Sequence, residues 1–349
     1  MKAIVIRNYG NADQLGIDPS YPEPEITNEY QVKVQQWFCS INPSDVKLRQ
    51  GHMRFLTRYF FHFPKILGYD ACGEIVGVGS NVRTLHVGDR VVGSAGIGGY
   101  ADYLVNHEKE FCGLPANFSP ALAACLPSAG LSAFQALENL QAYYQKQKWE
   151  SRPVLLINGA SGGVGSFAVL LAKHYFHFPL VWATCSASNA EYVIGLGADR
   201  VLDYRQENYP EAFLDSLGNY LILDLVGNTA FLEGSFRKLN RKSFILSLAF
   251  PDGKIIASFK DVWRFIKFIL ATRWNYIINR PTYRFMVLDY QVDKLRELVR
   301  FLDDHSELSQ QIRIVTIQPD DVKRYHQEIE GGHTVGKIII NFKMQTIRN

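Results

Sequence analysis

The sequence predicts an α/β protein that combines a doubly wound parallel sheet with a second, β-rich domain. Apolar strands alternate with helical patterns from residue 154 onward, which is typical of a parallel sheet. The first 120 residues contain instead short strand-like runs separated by glycine and proline. The length of 349 residues also exceeds that of one ordinary domain.

The β-rich part is predicted from both ends of the chain. Near the start, strands are expected at KAIVI, QVKVQQWF, GEIVGVG and DRVVGSA. Near the end, an amphipathic helix at 292–304 is followed by the strand-like runs QIRIVTI and GKIIINF. Because the tail resembles the head, the two are expected to pack together. A helix is predicted from Ser119 to Gln147, with Ser119 as its cap and Pro120 as its first residue.

The parallel sheet is predicted between residues 154 and 249. The strand VLLI precedes a glycine turn at 159–165 and a helix at 166–175. Further elements are expected as strands at 180–184, 200–204, 221–226 and 243–249 and as a helix at 187–196.

Composition excludes several classes of protein. With 47% hydrophobic residues the chain can bury a core, and its net charge of +3 is too small for the basic face that nucleic acid requires. The five cysteines are scattered and odd in number, so neither a disulfide framework nor a cysteine zinc site is expected. The sequence shows neither a leader pattern nor an 18-residue uncharged run, so a cytoplasmic protein is expected.

The strongest chemical signal is Asn158-Gly-Ala-Ser-Gly-Gly-Val-Gly165, which lies between an apolar strand and a helix. A Rossmann fold binds dinucleotide pyrophosphate at such a turn, where Gly162 allows close approach of the backbone and Gly165 allows close helix packing. Ala160 replaces the first glycine of the usual pattern. The alternative is a glycine-rich turn without a ligand.

The next strand carries a signal for the type of cofactor. About 20 residues after the turn, where an NAD enzyme has an acid, this chain has Ser186, Ser188 and Asn189. Hydroxyl and amide groups can donate to a 2'-phosphate that an acid would repel, so NADPH is favoured over NADH. The alternative is that Ser188 and Asn189 only cap the following helix.

At these residues the chain resembles the zinc-free quinone reductase branch, similar to zeta-crystallin, of the medium-chain dehydrogenases and reductases. The resemblance extends over nearly the whole chain and is weakest at 253–290. It includes INPSDVKLRQG, ILGYDACGEIVGVG, GDRVVG, GGYADYLV, LPSAGLSAFQAL, LGADRVLDY and GKIII. Ser132 and Met53 depart from the residues usual in the family, which are Thr and Tyr.

The resemblance implies a GroES-like catalytic domain built from 1–120 and 291–349, and an inserted Rossmann NADP-binding domain at 121–290. It also implies NADPH contacts. Together with the turn itself, the expected cofactor-binding residues are Asn158, Ser161, Gly162, Gly163, Val164, Ser186, Asn189, Tyr204, Leu246, His333 and Lys337. A solvated loop histidine is the alternative for His333.

The resemblance also bears on metal. Zinc alcohol dehydrogenases of this superfamily have catalytic zinc ligands at the positions that Asn42 and Tyr69 occupy here, and Pro127–Phe134 contains neither Cys nor His. No metal is therefore expected. Without a Lewis acid, alcohol oxidation is disfavoured, and reduction of a quinone or of an alkene conjugated to a carbonyl is the expected chemistry.

Three residues are candidates for catalysis. Asn42 and Ser132 are expected to polarise the acceptor carbonyl or to orient the nicotinamide amide, and Tyr69 is expected to line the pocket or relay a proton. A partly buried packing phenol is the alternative for Tyr69. Asp45 and Asp70 are expected to fix loops through backbone N–H groups.

The predicted function is an NADPH-dependent reductase of a small apolar quinone or enone, acting as a homodimer. The alternative is a non-catalytic NADPH-binding protein. A basic, aromatic segment at 253–290 is expected to contain an amphipathic helix with Val262, Phe265, Ile266 and Ile269 on one face. This helix is expected to form a wall of the substrate cleft, and contact with an anionic membrane is the less favoured alternative.

Overall fold

The structure is a computed structural model that describes residues 1–52, 54–57, 61–206, 214, 218–250, 261–263, 266–267, 270 and 281–343. The chain divides into two compact units. Unit 1 contains Met1–Leu131 and Asp289–Asn349, and unit 2 contains Ser132–Leu288. The functional domain limits expected at 120/121 and 290/291 stay a prediction, because compactness alone does not define a functional domain.

The described elements follow one another in this order. The strands are β1 (Ala3–Ile6), β2 (Leu15–Asp18), β3 (Gln31–Ile41), β4 (Lys65–Ile66), β5 (Asp70–Val78), β6 (Arg90–Ser94), β7 (Tyr103–His107), β8 (Phe111–Gly113), β9 (Val154–Asn158), β10 (Val181–Cys185), β11 (Arg200–Asp203), β12 (Tyr220–Asp224), β13 (Phe244–Ser247), β14 (Thr282–Phe285), β15 (Ile314–Ile317) and β16 (Lys337–Asn341). The α-helices are α1 (Pro43–Arg49), α2 (Arg54–Thr57), α3 (Pro120–Ala123), α4 (Leu131–Lys146), α5 (Gly163–His174), α6 (Ala190–Gly195), α7 (Thr229–Lys238), α8 (Val292–Asp304), α9 (Ser306–Ser309) and α10 (Val322–Glu330).

Unit 1 is organised around the long strand β3. In its seven-stranded sheet the order is β15-β16-β3-β5-β6-β8, and β7 also pairs with β3. Strand β16 runs antiparallel to β3, with Ile340 opposite Cys39, so the tail of the chain completes the sheet of the head, as predicted. A smaller sheet, β2-β1-β4, covers part of the same core, to which Ile4, Tyr100 and Ile340 belong.

Unit 2 contains a six-stranded sheet in the order β11-β10-β9-β12-β13-β14, and every pairing in it is parallel. This is the strand order of a Rossmann fold and confirms the predicted fold class. Strands β9 and β12 are buried at every position, which explains their continuous apolar sequence. Strand β14 was not predicted, because its sequence TYRF lies in the segment interpreted only as basic and aromatic.

One predicted helix is helical over most of its length but is interrupted. The Ser119–Gln147 segment forms the short helix α3, a π-helical turn at Leu126–Gly130 and then α4. Pro127 has no backbone N–H to donate to the preceding turn, which explains why regular α-helix does not run through. The predicted cap is confirmed, since Ser119 Oγ accepts from Leu122 N and Pro120 is the first helical residue.

The predicted helix of the basic segment lies only partly within the described residues. Residues 261–263, 266–267 and 270 are helical, whereas Phe265 and Ile269 lie outside the described residues. The expected role of this segment is therefore untested. In the part of the chain that the structure describes, no helix combines the length and the apolar character needed to cross a bilayer.

Candidate functional site

The glycine turn of unit 2 connects β9 to α5. Gly159 has φ of +87°, and Gly162 is the N-cap of α5, whose first residue is Gly163. A Cβ at position 165 would overlap the carbonyl oxygen of Gly159 and lie 2.7 Å from Ala160 Cα. Only glycine therefore fits at 165. A Cβ at Gly162 would have just one neighbour within 4 Å, so the surface beside this glycine is open to a ligand.

The start of α5 can bind an anion. The first N–H groups of a helix have no acceptor within the helix, and they lie at the positive end of its dipole. In α5 this end contains Gly163 and Val164, and the helix is 12 residues long. These residues fit the pyrophosphate of a dinucleotide.

Four buried polar side chains lie beneath this turn, and we call them the sheet-edge ladder. They are Thr184, Asn158, Asp224 and Ser247. Thr184 Oγ1 donates to Asn158 Oδ1 over 2.7 Å, and Asn158 Nδ2 donates to Asp224 Oδ1 over 2.9 Å. Ser247 Oγ donates to Asp224 Oδ2 over 2.9 Å. The side chain of Asn158 thus binds its neighbours in the sheet, and the cofactor contact predicted for this residue stays a prediction.

A second polar group follows β10 and β11. Ser186 Oγ lies 2.9 Å from Ser188 Oγ, and Asn189 Nδ2 donates to Ser186 Oγ over 3.0 Å. Neither Ser186 nor Asn189 makes a side-chain cap bond to the helix that follows it. The predicted cofactor residue Tyr204 is exposed on the adjoining strand end.

Sequence reasoning missed an acid beside these residues. Asp203 ends β11 opposite Cys185, and its Oδ2 accepts from Ala187 N over 3.3 Å. Arg205 binds both carboxylate oxygens, over 3.0 and 2.8 Å, and lowers the pKa of Asp203 to about 2. The signal was the sequence DYR at the end of a strand of the predicted sheet. The guanidinium of Arg205 is largely exposed and could also bind a phosphate.

The remaining unit 2 candidates differ in exposure. Ser161 and Ser132 are half-buried, in the glycine turn and in the first turn of α4. Leu246 is fully buried in the middle of β13, so its side chain offers no surface to a cofactor. Its side chain belongs to the core of the sheet, and the cofactor contact predicted for Leu246 stays a prediction.

In unit 1, Asn42 lies between a buried cation and a buried carboxylate. Lys337 Nζ donates to Asn42 Oδ1 over 2.6 Å and to Ile41 O over 3.1 Å. Asn42 Nδ2 donates to Asp70 Oδ2 over 2.9 Å. Ser40 Oγ donates to the same carboxylate oxygen, and Ser128 Oγ donates to Asp70 Oδ1 over 2.6 Å. These five residues, Ser40, Asn42, Asp70, Ser128 and Lys337, are the Asn42 cluster.

The cluster corrects the expectation for Asp70. Asp70 binds three side chains, rather than the backbone N–H groups expected for it. Two of the three N–H donors of Lys337 hold Ile41 and Asn42, and the cofactor contact predicted for Lys337 stays a prediction. Because an ammonium can only donate and a carboxylate can only accept, the amide of Asn42 has one favourable orientation.

A second chain of buried groups supports α1, and we call it the Arg49 relay. Arg49 Nε donates to His326 Nδ1 over 3.4 Å, His326 Nε2 lies 3.3 Å from Tyr100 Oη, and Tyr100 donates to Asp45 Oδ2 over 3.2 Å. Asp45 Oδ2 also accepts from Asn42 N over 2.8 Å, which confirms its predicted role in fixing the backbone. Arg49 also pairs with Glu330.

Burial shifts both titrating groups of this relay towards their neutral forms. It raises the pKa of Asp45 to about 7, although the hydrogen bond from Asn42 N and the charge of Lys337 oppose the shift. It lowers the pKa of His326 to about 3, and the nearby charge of Arg49 adds to that shift. His326 is therefore neutral in the folded protein at physiological pH.

Tyr69 and His333 are accessible candidates in unit 1. Tyr69 is half-buried, and its ring packs edge-on against Tyr290 with 6.2 Å between centroids. Burial raises the pKa of Tyr69, so this phenol keeps its proton at physiological pH. His333 is exposed between β15 and β16. Among the described residues no group of three or more His, Cys, Asp or Glu side chains could hold a metal ion, and the expectation of a metal-free site stays a prediction.

Comparison with known proteins supports this description. Residues 28–122 match the GroES-like domain of alcohol dehydrogenases, and residues 196–340 match the zinc-binding dehydrogenase family. The chloroplast envelope quinone oxidoreductase homolog of Arabidopsis thaliana is 40% identical over 59% of this chain and 61% of its own length. The chloroplastic NADPH-dependent alkenal/one oxidoreductase of the same plant is 36% identical over 60% and 53%. These alignments thus span less than two thirds of either relative.

A solved structure covers the whole fold. The quinone oxidoreductase from Coxiella burnetii superposes with a TM-score of 0.79 at 25% identity, over 98% of this chain and 99% of its own. Together with the parallel sheet and the glycine turn, the two family matches show that the chain belongs to the medium-chain dehydrogenase/reductase superfamily. The similarity to the two plant relatives and to the Coxiella burnetii enzyme confirms the resemblance to the quinone reductase branch noted in the sequence.

Proposed function

We propose that the protein is an NADPH-dependent reductase that transfers a hydride to a quinone or to an alkene conjugated to a carbonyl. The observation that carries this proposal is the open phosphate turn at the start of α5, with a polar group after the next two strands. The names of the two plant relatives agree with both acceptor classes and, in one case, with NADPH.

Unit 2 would hold the cofactor through charge and backbone donors. The N–H groups of Gly163 and Val164 would bind the pyrophosphate. The hydroxyls of Ser186 and Ser188 and the guanidinium of Arg205 would bind the 2'-phosphate, and Asn189 would orient Ser186. When bound, NADPH supplies the hydride from its nicotinamide ring.

Unit 1 would supply a fixed amide and a proton donor. Asn42 is held in one orientation by Lys337 and Asp70, so it can present a constant dipole to the nicotinamide amide or the acceptor carbonyl. Tyr69 keeps its O–H proton at physiological pH and can donate it to the acceptor oxygen as negative charge develops there. Ser132, which belongs to unit 2, is proposed as a second donor, and His333 of unit 1 as a cofactor contact.

Further expectations belong to the same proposal. Unit 1 would be the catalytic domain and unit 2 the cofactor domain, acting without a metal ion. A homodimer and a cytoplasmic location are proposed as well, and membrane contact is not favoured. Sedimentation of the purified protein tests the homodimer, and cell fractionation tests the location.

Oxidation of NADPH, followed by the absorbance of the reduced nicotinamide, tests the reaction with a panel of quinones and small enones. We expect turnover with at least one of them. Binding of NADPH without turnover of any acceptor would contradict the enzyme and favour the non-catalytic NADPH-binding alternative.

The choice of cofactor has its own test. Two charge-assisted hydrogen bonds to the 2'-phosphate should contribute about 2 to 4 kcal/mol, or roughly 30- to 1000-fold in affinity for NADPH over NADH. Arg205→Met should remove part of this preference by weakening NADPH alone, and Ser186→Asp should reverse it. The control Arg237→Met, at an exposed arginine of α7, should change neither affinity. Equal affinity of the wild type for both cofactors would refute the assignment.

A further inference from the structure

The sheet-edge ladder is built by strand register. Thr184 is the register partner of Asn158, Asn158 of Asp224, and Asp224 of Ser247. Four neighbouring parallel strands therefore place one polar residue each at the same level, at or next to the carboxyl ends of the strands. All four residues are at most 4% exposed. In a sheet of this type the carboxyl ends face the ligand.

The carboxylate of Asp224 determines the direction of each hydrogen bond in the ladder. The ionised carboxylate of Asp224 can only accept, so Asn158 must turn its Nδ2 towards it and its Oδ1 towards Thr184. Thr184 must then use its single O–H proton on Asn158. A lone pair of Thr184 Oγ1 is left, and it accepts from Gly159 N over 3.1 Å.

This last bond connects the ladder to the glycine turn. Gly159 is the first residue of the turn and has a positive φ that side chains rarely adopt. Its N–H points at Thr184 Oγ1, and the next N–H, of Ala160, binds the carbonyl oxygen of Thr184 over 2.9 Å. Thr184 thus holds two successive N–H groups at the point where the chain leaves β9.

We propose that Thr184 is a positioning residue for the cofactor's pyrophosphate: its hydroxyl, oriented through Asn158 by Asp224, fixes the start of the glycine turn and so aims the first N–H groups of α5. The inference rests on the proposed function, because it requires a dinucleotide at this turn. It assigns Asn158 and Asp224 to the support of the turn and not to ligand contact.

The buried position of Asp224 fits this role. Its carboxylate accepts from two side chains and, over 3.2 Å each, from the backbone N–H groups of Val226 and Gly227. Burial raises the pKa of Asp224, and these hydrogen bonds oppose the shift. An amide has the same shape and can keep the bonds of Oδ1, so the Asp224→Asn change tests whether the carboxylate acts through its charge or its acceptors.

The experiment compares Thr184→Val, which removes the hydroxyl at nearly constant shape, with Thr184→Ser, which restores it. The ligands are NADPH, NADH and adenosine 2'-monophosphate, which has the 2'-phosphate but not the pyrophosphate. We expect Thr184→Val to bind NADPH and NADH about 10-fold more weakly, and to bind adenosine 2'-monophosphate as the wild type does. Thr184→Ser should bind all three within about 3-fold of the wild type, and so should Asp224→Asn.

Each other result has a defined meaning. Unchanged dinucleotide affinity in Thr184→Val overturns the inference. An equal loss of adenosine 2'-monophosphate also overturns it, because the hydroxyl would then support the sheet in general and not the turn. A wild type that binds neither dinucleotide contradicts the proposed function instead. In that case urea unfolding and the backbone amide signal of Gly159, compared between the Val and Ser variants, still test whether Thr184 holds the turn.

Discussion

The sheet-edge ladder and the Asn42 cluster are both buried polar networks, but they contain different kinds of side chain. The ladder uses short side chains on neighbouring strands, and Thr184 and Asn158 are only 26 residues apart. The Asn42 cluster contains a buried ammonium, and Lys337 lies 295 residues from Asn42. The ladder is thus a product of strand register, whereas the cluster depends on bringing a distant charge into the core.

This difference has an energetic consequence. Removal of a neutral donor from a hydrogen-bonded network lowers the free energy of unfolding by about 1 to 3 kcal/mol, because the partner of that donor is left without a hydrogen bond. Removal of one of two opposite buried charges lowers the free energy of unfolding by more, about 3 to 5 kcal/mol, because the remaining charge stays buried without compensation. We therefore expect the two networks to respond differently to the loss of one member.

The largest effect is expected for Lys337→Met. Methionine is of similar length, but it leaves Ile41 O and Asn42 Oδ1 without their donor. It also leaves Asp70 without the cation to which the Asn42 amide links it. The free energy of unfolding, measured in urea at pH 7, should fall by about 3 to 5 kcal/mol. The exposed Lys323→Met change on α10 is the control and should stay within about 0.5 kcal/mol of the wild type.

Ser247→Ala provides the matching change in the ladder. It removes one neutral donor from Asp224 and should cost about 1 to 2 kcal/mol. If Lys337→Met costs no more than Ser247→Ala, the distinction between the two networks is incorrect.

The next effect concerns the turn above the ladder. At Gly165 a Cβ would collide with the backbone of residues 159 and 160, so Gly165→Ala should destabilise unit 2 by about 1 to 3 kcal/mol. At Gly162 a Cβ would lie 3.5 Å from Gly159 O, which is an ordinary contact, and φ is −76°. Gly162→Ala should therefore unfold like the wild type but bind NADPH more weakly. A thermal shift of similar size in both variants would contradict this division of roles.

The last effect is a change in the pH dependence of the unfolding free energy, and it concerns the Arg49 relay. His326, with its pKa lowered to about 3, contributes stability that is complete above pH 6.5 and is lost as the pH falls. Asp45, with its pKa raised to about 7, contributes stability that is complete below about pH 4 and is lost as the pH rises. Between about pH 4 and 6.5 the two slopes oppose each other.

Single variants should expose each slope. Relative to the wild type, His326→Gln should lose about 1.4 kcal/mol of unfolding free energy per pH unit as the pH rises through this range, and Asp45→Asn should gain as much. Urea unfolding at several pH values measures both differences. Parallel curves for the wild type and both variants would show that neither group titrates as described.

The comparison also explains what the sequence could predict. The glycine turn and its flanking elements lie in one short stretch, so local pattern was sufficient to find them. The role of Asn158 was not predictable from that stretch, because it depends on the register of β9 with β10 and β12. The contact of Lys337 with Asn42 was not predicted, because it depends on the pairing of β16 with β3, which sequence spacing does not reveal. Strand β14 was missed since two of its four residues are polar or charged.

The pairing of β16 with β3 has a consequence for synthesis of the protein. Strand β3 ends at Ile41 and β16 ends at Asn341. At ordinary ribosomal speed, roughly 15 to 60 s therefore pass between the synthesis of these two strands. Unit 2 is complete in sequence at Leu288, before β16 emerges. The nascent chain is therefore expected to fold unit 2 first, while the part of β3 that β16 later pairs with, residues 38–41, stays open until translation is nearly finished. Strand β7 pairs with β3 only at residues 31–35, and β5 pairs with the other edge of β3.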